Sequence, residues 1–304
     1  MTYEQFKDRI VTSISERFNE DTLVSINQVK KNNGIALDGL TIREKDINIA
    51  PTIYLENFYQ DYKSGSTFDE VMREICQVYE RNKLAEDIDI SFFKDFEKVK
   101  ENITFKLINK EMNEELLKEV PHIIYLDLAI VFSYYMPMEF VTGGESSILI
   151  RNSHMELWDA TVDDLYNYAK ENTPRLLGLH LRGMFETLEE LMGKENMPQE
   201  FANPEMYTPI YVATNERKTN GAGVILYKDM LKALAAKTKS DLAVIPCSVH
   251  EVIIITADGK SEDWLDGIRS SISYVNETEV DARDVLSNNL YYYYRDREVL
   301  GICS

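Results

Sequence analysis

The chain has 304 residues, of which 44% are hydrophobic and 28% are charged, so it holds enough apolar side chains for a packed core and is not disordered throughout. Its formal net charge is −19, and residues 101–200 contribute −10 of this charge with 18 acidic and 8 basic side chains. Because such a surface repels phosphate groups, direct binding of nucleic acid or of an anionic membrane is disfavoured.

The N-terminal residues and the cysteines predict a cytoplasmic protein. The segment Met1-Thr-Tyr-Glu-Gln-Phe-Lys7 lacks the apolar run of a signal peptide, and the longest apolar stretch, Ile123 to Met138, is too short and too polar to cross a bilayer. Cys76, Cys247 and Cys303 are scattered and odd in number, which is atypical of a disulfide framework or a cysteine zinc site.

Residues 1–102 are predicted to form an N-terminal α+β region with a helix–hairpin–helix order. Thr2 with Gln5, and Thr67 with Glu70, have the spacing of a capping box at the start of a helix. The predicted elements are a helix from Thr2, a hairpin of Thr22–Lys31 and Ile35–Arg43 about the turn Asn32-Asn33-Gly34, and helices at Tyr54–Tyr62 and Phe68–Tyr79.

The remaining chain predicts an internal repeat. Residues 103–200 and residues 201–304 each have the element order β-α-β-β-α-β, which is the order of a ferredoxin-like unit. The fold class expected is therefore α+β with two such units in tandem. The elements of the first unit are Thr104–Asn109, Glu114–Val120, Ile124–Met136, Ser146–Ile150, Val162–Glu171 and Leu176–Leu181. Those of the second are Pro209–Ala213, Val224–Thr238, Asp241–Ile245, Val252–Thr256, Glu262–Val275 and Leu290–Tyr294.

The candidate catalytic residues are Cys247, Ser248, His250 and Glu251, between two strands of the second unit. A thiol or hydroxyl beside an imidazole that a carboxylate orients is the arrangement of an activated nucleophile. The alternative is structural, with Cys247 as a small buried apolar residue and His250 as a turn residue bonded to the backbone. The glycine-rich segment Asn220-Gly-Ala-Gly223 before a helix offers a weaker anion site.

No cofactor or metal site is predicted. The sequence contains no P-loop, no GxGxxG after a strand, no HExxH and no EF-hand loop. His122, His154, His180 and His250 include no pair spaced four residues apart on a predicted helix, so no preformed metal site is evident. The run Tyr291–Tyr294 predicts a strand whose tyrosines alternate between its two faces, either as a binding edge or as a strand covered on both sides.

Several segments carry a resemblance to a family of uncharacterised proteins from anaerobic Firmicutes, defined only as a domain of unknown function. They are Pro51-Thr-Ile-Tyr-Leu-Glu-Asn-Phe-Tyr59 with Tyr62, Ile148-Leu-Ile-Arg-Asn152 with His154 and Trp158, Leu165-Tyr166 with Ala169 and Asn172-Thr-Pro174, Val244-Ile-Pro246 with Ser248, His250 and Glu251, and Val285-Leu286-Ser287 with Tyr292 to Arg295. The C-terminal half is also distantly similar to a second uncharacterised bacillar family. The resemblance implies a bacterial cytoplasmic setting and no particular reaction. It also implies serine where this chain has Cys247, which argues against that thiol as an obligatory nucleophile.

Three hypotheses of function follow. The favoured one is a non-enzymatic interaction or regulatory protein that presents its acidic surface to a protein partner. The second is a hydrolase or transferase centred on His250, with Glu251, Ser248 or Cys247 assisting. The third is a nucleic-acid-mimicking inhibitor from a mobile element, whose carboxylates would be spaced like phosphates.

Overall fold

Local capping places the first helix, α1 (Tyr3–Arg17), where the sequence predicts it. In the computed structural model the Thr2 hydroxyl accepts a hydrogen bond from the Gln5 amide, and the Gln5 side chain accepts one from the Thr2 amide. The structure describes residues 1–19, 21–45, 47, 50–83, 91–136, 147–193, 195 and 208–303. These residues have an α+β fold with three antiparallel sheets, as the sequence predicts at this level.

An N-terminal unit within Met1–Lys94 contains a three-stranded sheet and helices packed on it. Its elements after α1 are β1 (Leu23–Lys30), β2 (Ala36–Arg43), β3 (Thr52–Tyr54), α2 (Leu55–Lys63) and α3 (Phe68–Asn82). The strands pair in the order β1-β2-β3, and Asn33 and Gly34 take left-handed backbone angles in the turn between β1 and β2. Phe6, Ile10 and Ile14 are fully buried in the core, at the spacing of four residues that defines one helix face.

A second unit, formed by Asp95–Tyr135 and Ile148–Ser304, contains the other two sheets. The four-stranded sheet has the order β4-β6-β5, with β7 also paired to β6. Its elements and the helices around it are α4 (Phe96–Val99), β4 (Ile103–Asn109), α5 (Glu114–Leu117), β5 (His122–Tyr125), β6 (Leu128–Tyr135), β7 (Ser147–Leu149), α6 (Asn152–Trp158) and α7 (Val162–Leu177).

The six-stranded sheet has the order β13-β12-β10-β11-β9-β8, with antiparallel neighbours throughout. Its elements are β8 (His180–Gly183), α8 (Met184–Met192), β9 (Ile210–Thr214), α9 (Met230–Thr238), β10 (Leu242–Ile245), β11 (Val252–Thr256), α10 (Glu262–Thr278), β12 (Tyr291–Tyr294) and β13 (Val299–Ile302). Leu265 and Ile272 of α10 pack on Ala243 and Ile255. The tyrosines of β12 alternate between buried and half-buried positions, as predicted.

The fourth strand of each predicted ferredoxin-like unit is placed differently from the expectation. A ferredoxin-like sheet has the order 4-1-3-2, with its fourth strand beside its first. In the first unit the predicted second strand is divided into β5 and β6, the predicted third strand corresponds to β7, which pairs with β6, and the fourth, β8, pairs with β9 in the other sheet. In the second unit β9-β11-β10 follow the order 1-3-2, but β12 pairs with β10. The order of elements along a sequence does not specify which sheet edge a strand joins, and here that choice departs from the prediction.

Three predicted element boundaries in this unit are also corrected. The predicted strand Ile124–Met136 is a hairpin, because the chain turns at Leu126 with a left-handed φ of 55°. The predicted strand from Leu176 begins only at His180, since α7 continues through Pro174. The predicted helix from Val224 is a 3-10 turn, Gly221–Leu226, followed by α9. Within the described ranges, no helix has the length and apolar character needed to span a bilayer.

Candidate functional site

The segment that holds the four candidate residues connects β10 to β11 and is fastened to two other loops. The Val249 amide donates to the Asp284 carbonyl (2.8 Å), and the Leu286 amide donates to the Cys247 carbonyl (3.0 Å). On its other side, the Ala222 amide donates to the Val249 carbonyl (3.1 Å). The segment is therefore held between the loop after β9 and the loop after α10.

His250 joins these loops through its ring and its backbone. Its Nδ1 accepts a hydrogen bond from the Asn220 amide (3.2 Å), and its Nε2 lies 3.4 Å from Asp284 Oδ1. A neutral imidazole that accepts at Nδ1 carries its proton at Nε2, so it can donate that proton to Asp284. The His250 amide donates to Ser248 Oγ (3.0 Å), and its carbonyl accepts from Thr214 Oγ1 (2.6 Å). Through these contacts His250 links its own segment to β9, to the loop after β9 and to the loop after α10, and we refer to this arrangement as the His250 clamp.

The two candidate nucleophiles are buried and are not bonded to the imidazole. Cys247 is 8% exposed and Ser248 is 6% exposed. Burial, and then the charge of Glu251, raises the pKa of the Cys247 thiol, which disfavours the reactive thiolate. Ser248 Oγ accepts from the His250 backbone, and among the contacts described for this segment none joins either nucleophile to the His250 ring. The four residues thus adjoin in sequence without forming a nucleophile–base pair.

Gly221 is required by close packing in the loop that His250 clamps. A Cβ at this position would lie 2.1 Å from Thr214 Oγ1, 2.5 Å from the His250 carbonyl oxygen and 2.7 Å from the Asn215 nitrogen. The residues Gly221, Ala222 and Gly223 are buried at the start of the 3-10 turn. The glycine-rich segment therefore permits close approach of the backbone to β9 and to His250.

A carboxylate that the sequence did not single out lies at the centre of a larger polar network. Asp127, in the turn between β5 and β6, accepts hydrogen bonds from Ser287 Oγ (2.6 Å), Asn289 Nδ2 (2.9 Å) and the Tyr291 hydroxyl. Tyr291 is fully buried, and this burial, followed by the bond to Asp127, raises the pKa of its hydroxyl. Asp127 therefore fixes the segment that leads into β12. The interruption of an apolar stretch by one carboxylate was the signal available in the sequence.

Two of the other histidines have local partners. His122 Nδ1 lies 3.0 Å from the Val120 carbonyl oxygen. His154 Nδ1 accepts from the Arg151 amide (3.1 Å), and burial lowers the pKa of this ring. Among the described residues, no three His, Cys, Asp or Glu side chains are grouped so that they could hold a metal ion.

A small cavity lies in the N-terminal unit, and none of its lining residues belongs to the four candidates. The Tyr79 hydroxyl donates to Glu44 Oε1 (2.9 Å), and this bond, together with the charge of Lys83, lowers the pKa of the Glu44 carboxyl. The cavity is lined by Ile42, Glu44, Ile47, Ala50, Pro51, Tyr79 and Lys83.

The comparison with protein families gives one match, and it spans nearly the whole chain. The matching family is described as a family of unknown function (DUF5688), and the match covers residues 3–295. No curated protein and no solved structure matches the chain. The resemblance to a family defined only by a domain of unknown function is thereby confirmed, and the chain belongs to the DUF5688 family.

Proposed function

We propose that this protein is a non-enzymatic interaction or regulatory protein that presents an acidic surface to a basic protein partner. The observation that carries the proposal is the charge of the described residues between 110 and 164, which include nine carboxylates and three lysine or arginine side chains. Eight of these carboxylates are exposed, on α5, on α6 and around the start of α7. They are Glu111, Glu114, Glu115, Glu119, Glu156, Asp159, Asp163 and Asp164.

Hydrogen bonds hold the start of α6 beside the segment that follows α5, so their acidic side chains lie on neighbouring parts of the surface. The Asn152 amide at the start of α6 donates to the Glu119 carbonyl (3.0 Å), and Asn152 Nδ2 donates to the Lys118 carbonyl (3.0 Å). Two of the cations already neutralise carboxylates, since Lys118 pairs with Glu115 and Arg151 pairs with Glu119 at 2.5 Å. The net field of this surface is therefore negative, which would attract a cationic partner and strengthen the encounter at low salt.

The geometry around His250 supports this proposal over the enzymatic alternative. A hydrolase or transferase with a side-chain nucleophile would need that nucleophile within hydrogen-bond reach of the imidazole, whereas Nδ1 of His250 faces Asn220 and Nε2 faces Asp284. The enzymatic function stays the alternative because His250 pairs with Asp284 and both side chains are about one third exposed.

The proposal is tested by capture from nuclease-treated lysate of the native host on the immobilised full chain, followed by mass spectrometry. The test variant carries Glu111→Gln, Glu114→Gln and Glu156→Gln. The matched control removes the same charge from α10 and its C-cap with Asp263→Asn, Glu277→Gln and Glu279→Gln. A third variant carries His250→Ala.

We expect the wild type, the control and the His250 variant to recover the same protein. The test variant should recover it about tenfold less, and the loss should grow between about 50 and 300 mM salt. A partner that the test variant retains with unchanged salt dependence would contradict the proposal. Absence of any reproducible partner would shift the weight to the enzymatic alternative.

The nucleic-acid-mimicking alternative predicts a further result in the same assay. If the acidic surface imitates a phosphate backbone, duplex DNA should displace the captured partner, because both ligands would occupy one cationic groove. We propose ordinary protein recognition instead, for which DNA at the same concentration leaves the partner bound. The cytoplasmic location and the division of the chain into regions 1–102, 103–200 and 201–304 stay predictions beside this proposal.

A further inference from the structure

The two sheets of the second unit contain equivalent connections with helices of unequal length. In one sheet α5 connects β4 to β5 across β6, and in the other α9 connects β9 to β10 across β11. The helix α9 has nine residues, whereas α5 has four. A helix of four residues spans little more than one turn, so it covers much less of the sheet beneath it.

The short helix and the edge position of β5 leave apolar side chains in contact with solvent. Ile124 of β5 is paired with Ala129, so it lies on the sheet face where Leu117 of α5 packs on Ala129. Ile124 is nevertheless 47% exposed, and Met112, just before α5, is 42% exposed. In the other sheet β10 lies between β11 and β12, and its Leu242 and Val244, which face away from α10, are fully buried.

Three carboxylates lie on or just before α5, the helix that packs on this face of the sheet. Glu111, Glu114 and Glu115 are exposed on or beside α5, and the Lys118 ammonium is bound to Glu115 at 2.5 Å. An apolar strip with a negative rim is complementary to a helix that has an apolar stripe and cationic flanks.

We propose that the partner supplies the missing helix: a cationic amphipathic helix packs beside α5 on what we term the α5 face. The proposal rests on the proposed function and adds the chemistry of the partner. The α5 face consists of Glu111, Met112, Glu114, Glu115, Leu116 and Ile124. The apolar stripe of the bound helix contacts Ile124 and Met112, and its lysine or arginine side chains reach the carboxylates.

The test uses a synthetic amphipathic peptide of lysine and leucine, about 18 residues long so that it forms a helix on binding. The control peptide has the same composition in a scrambled order without an apolar stripe. Binding to the full chain is measured by fluorescence anisotropy, and contact is located by the methyl NMR signals of isoleucine and methionine. The protein variants are Ile124→Ser, Glu111→Gln with Glu114→Gln, and the control Val299→Ser, which changes a 54% exposed residue on β13.

We expect the amphipathic peptide to shift the Ile124 and Met112 methyl signals and to bind about tenfold more weakly to Ile124→Ser, because half of an isoleucine side chain is lost from the contact. Val299→Ser should bind as the wild type does. If the scrambled peptide binds equally well and Ile124→Ser has no effect, helix docking is refuted while the acidic surface stands. If the Glu111 and Glu114 changes also leave binding and its salt dependence unaltered, the proposed function fails as well.

Discussion

The packing around Gly221 predicts that this glycine cannot be replaced by alanine without a large loss of stability. The added Cβ would lie 2.1 Å from Thr214 Oγ1, and 2.5 Å and 2.7 Å from backbone atoms of His250 and Asn215. The Thr214 hydroxyl could move only by giving up its 2.6 Å hydrogen bond to the His250 carbonyl. Overpacking costs about 1–3 kcal/mol and one lost hydrogen bond about 1 kcal/mol, so we expect a destabilisation of roughly 2–4 kcal/mol.

Gly267 offers the matched control for this substitution. It is exposed within α10, and no heavy atom would lie within 4 Å of an added Cβ. Alanine is the better helix former, so Gly267→Ala should raise the free energy of unfolding by about 0.5–1 kcal/mol. Urea unfolding followed by circular dichroism measures both variants. Amide exchange at Ala222 and Val249 should quicken in Gly221→Ala alone.

A free energy of unfolding for Gly221→Ala within about 0.5 kcal/mol of the wild type would refute the close contact at Gly221, since an alanine would then fit between β9 and the His250 segment. Equal destabilisation by both substitutions would also contradict it. That result would mean that loss of glycine itself, and not the contact at Gly221, determines the stability.

Three further predictions concern the polar contacts of the second unit. Tyr291→Phe should lower the free energy of unfolding by about 1.5–3 kcal/mol, since it removes a donor from the Asp127 carboxylate. Because the pKa of Tyr291 is raised in the folded state, wild-type stability should fall as pH rises above about 10. This fall should be smaller in the variant when both proteins are unfolded in urea. Hydrogen bonds from Arg283 lower the pKa of Asp281 to about 2. This exposed pair should therefore stabilise the fold by under about 1 kcal/mol above pH 4, and the stabilisation should be lost toward pH 2. Acid titration of the free energy of unfolding should show no such dependence for Asp281→Asn. His250→Ala should speed amide exchange at Asn220 about tenfold, because its 3.2 Å acceptor is removed, and unchanged exchange would contradict the clamp.

Helix starts could be predicted from the sequence because their signals are local. Thr2 and Thr67 each form the capping box that the spacing predicts, with the glutamine or glutamate three residues later. Both partners of such a bond lie within one turn, so no distant contact is needed to form it. The apolar spacing in α3 likewise gives its buried face.

The turn at Leu126 could not be predicted because distant contacts impose it. The stretch from Ile124 to Met136 is predicted as one strand because it is apolar, and a leucine with left-handed backbone angles has no sequence signature. The hydrogen bonds that hold the turn come from residues far along the chain. The Lys110 amide donates to the Asp127 carbonyl (3.2 Å), and the side-chain donors to Asp127 lie some 160 residues further on.

Proximity in sequence left two interpretations of the candidate site open. Cys247, Ser248 and His250 are the residue types of an activated nucleophile, and the structural alternative for them was a buried thiol and a histidine bonded to the backbone. The positions found for Cys247 and His250 follow that alternative, since the ring of His250 accepts from the Asn220 amide. Which atom faces the imidazole depends on how two distant loops pack, and residue spacing carries no information on that point.

The β5–β6 and β10–β11 connections of the second unit hold the same segment of chain, residues 281–291. Asp127 contacts it from the β5–β6 turn, and Cys247 and Val249 contact it through their backbones from the β10–β11 connection. The His250 ring is therefore occupied in joining loops of the six-stranded sheet, and the Asp127 carboxylate is occupied in joining the two sheets. Their bonds are made within the fold, and a ligand could use them only by breaking this joint. The carboxylates of the α5 face, and its Met112 and Ile124, are exposed and hold neither sheet together. For this reason we propose that the partner binds at the α5 face, and we expect His250 and Asp127 to stabilise the fold.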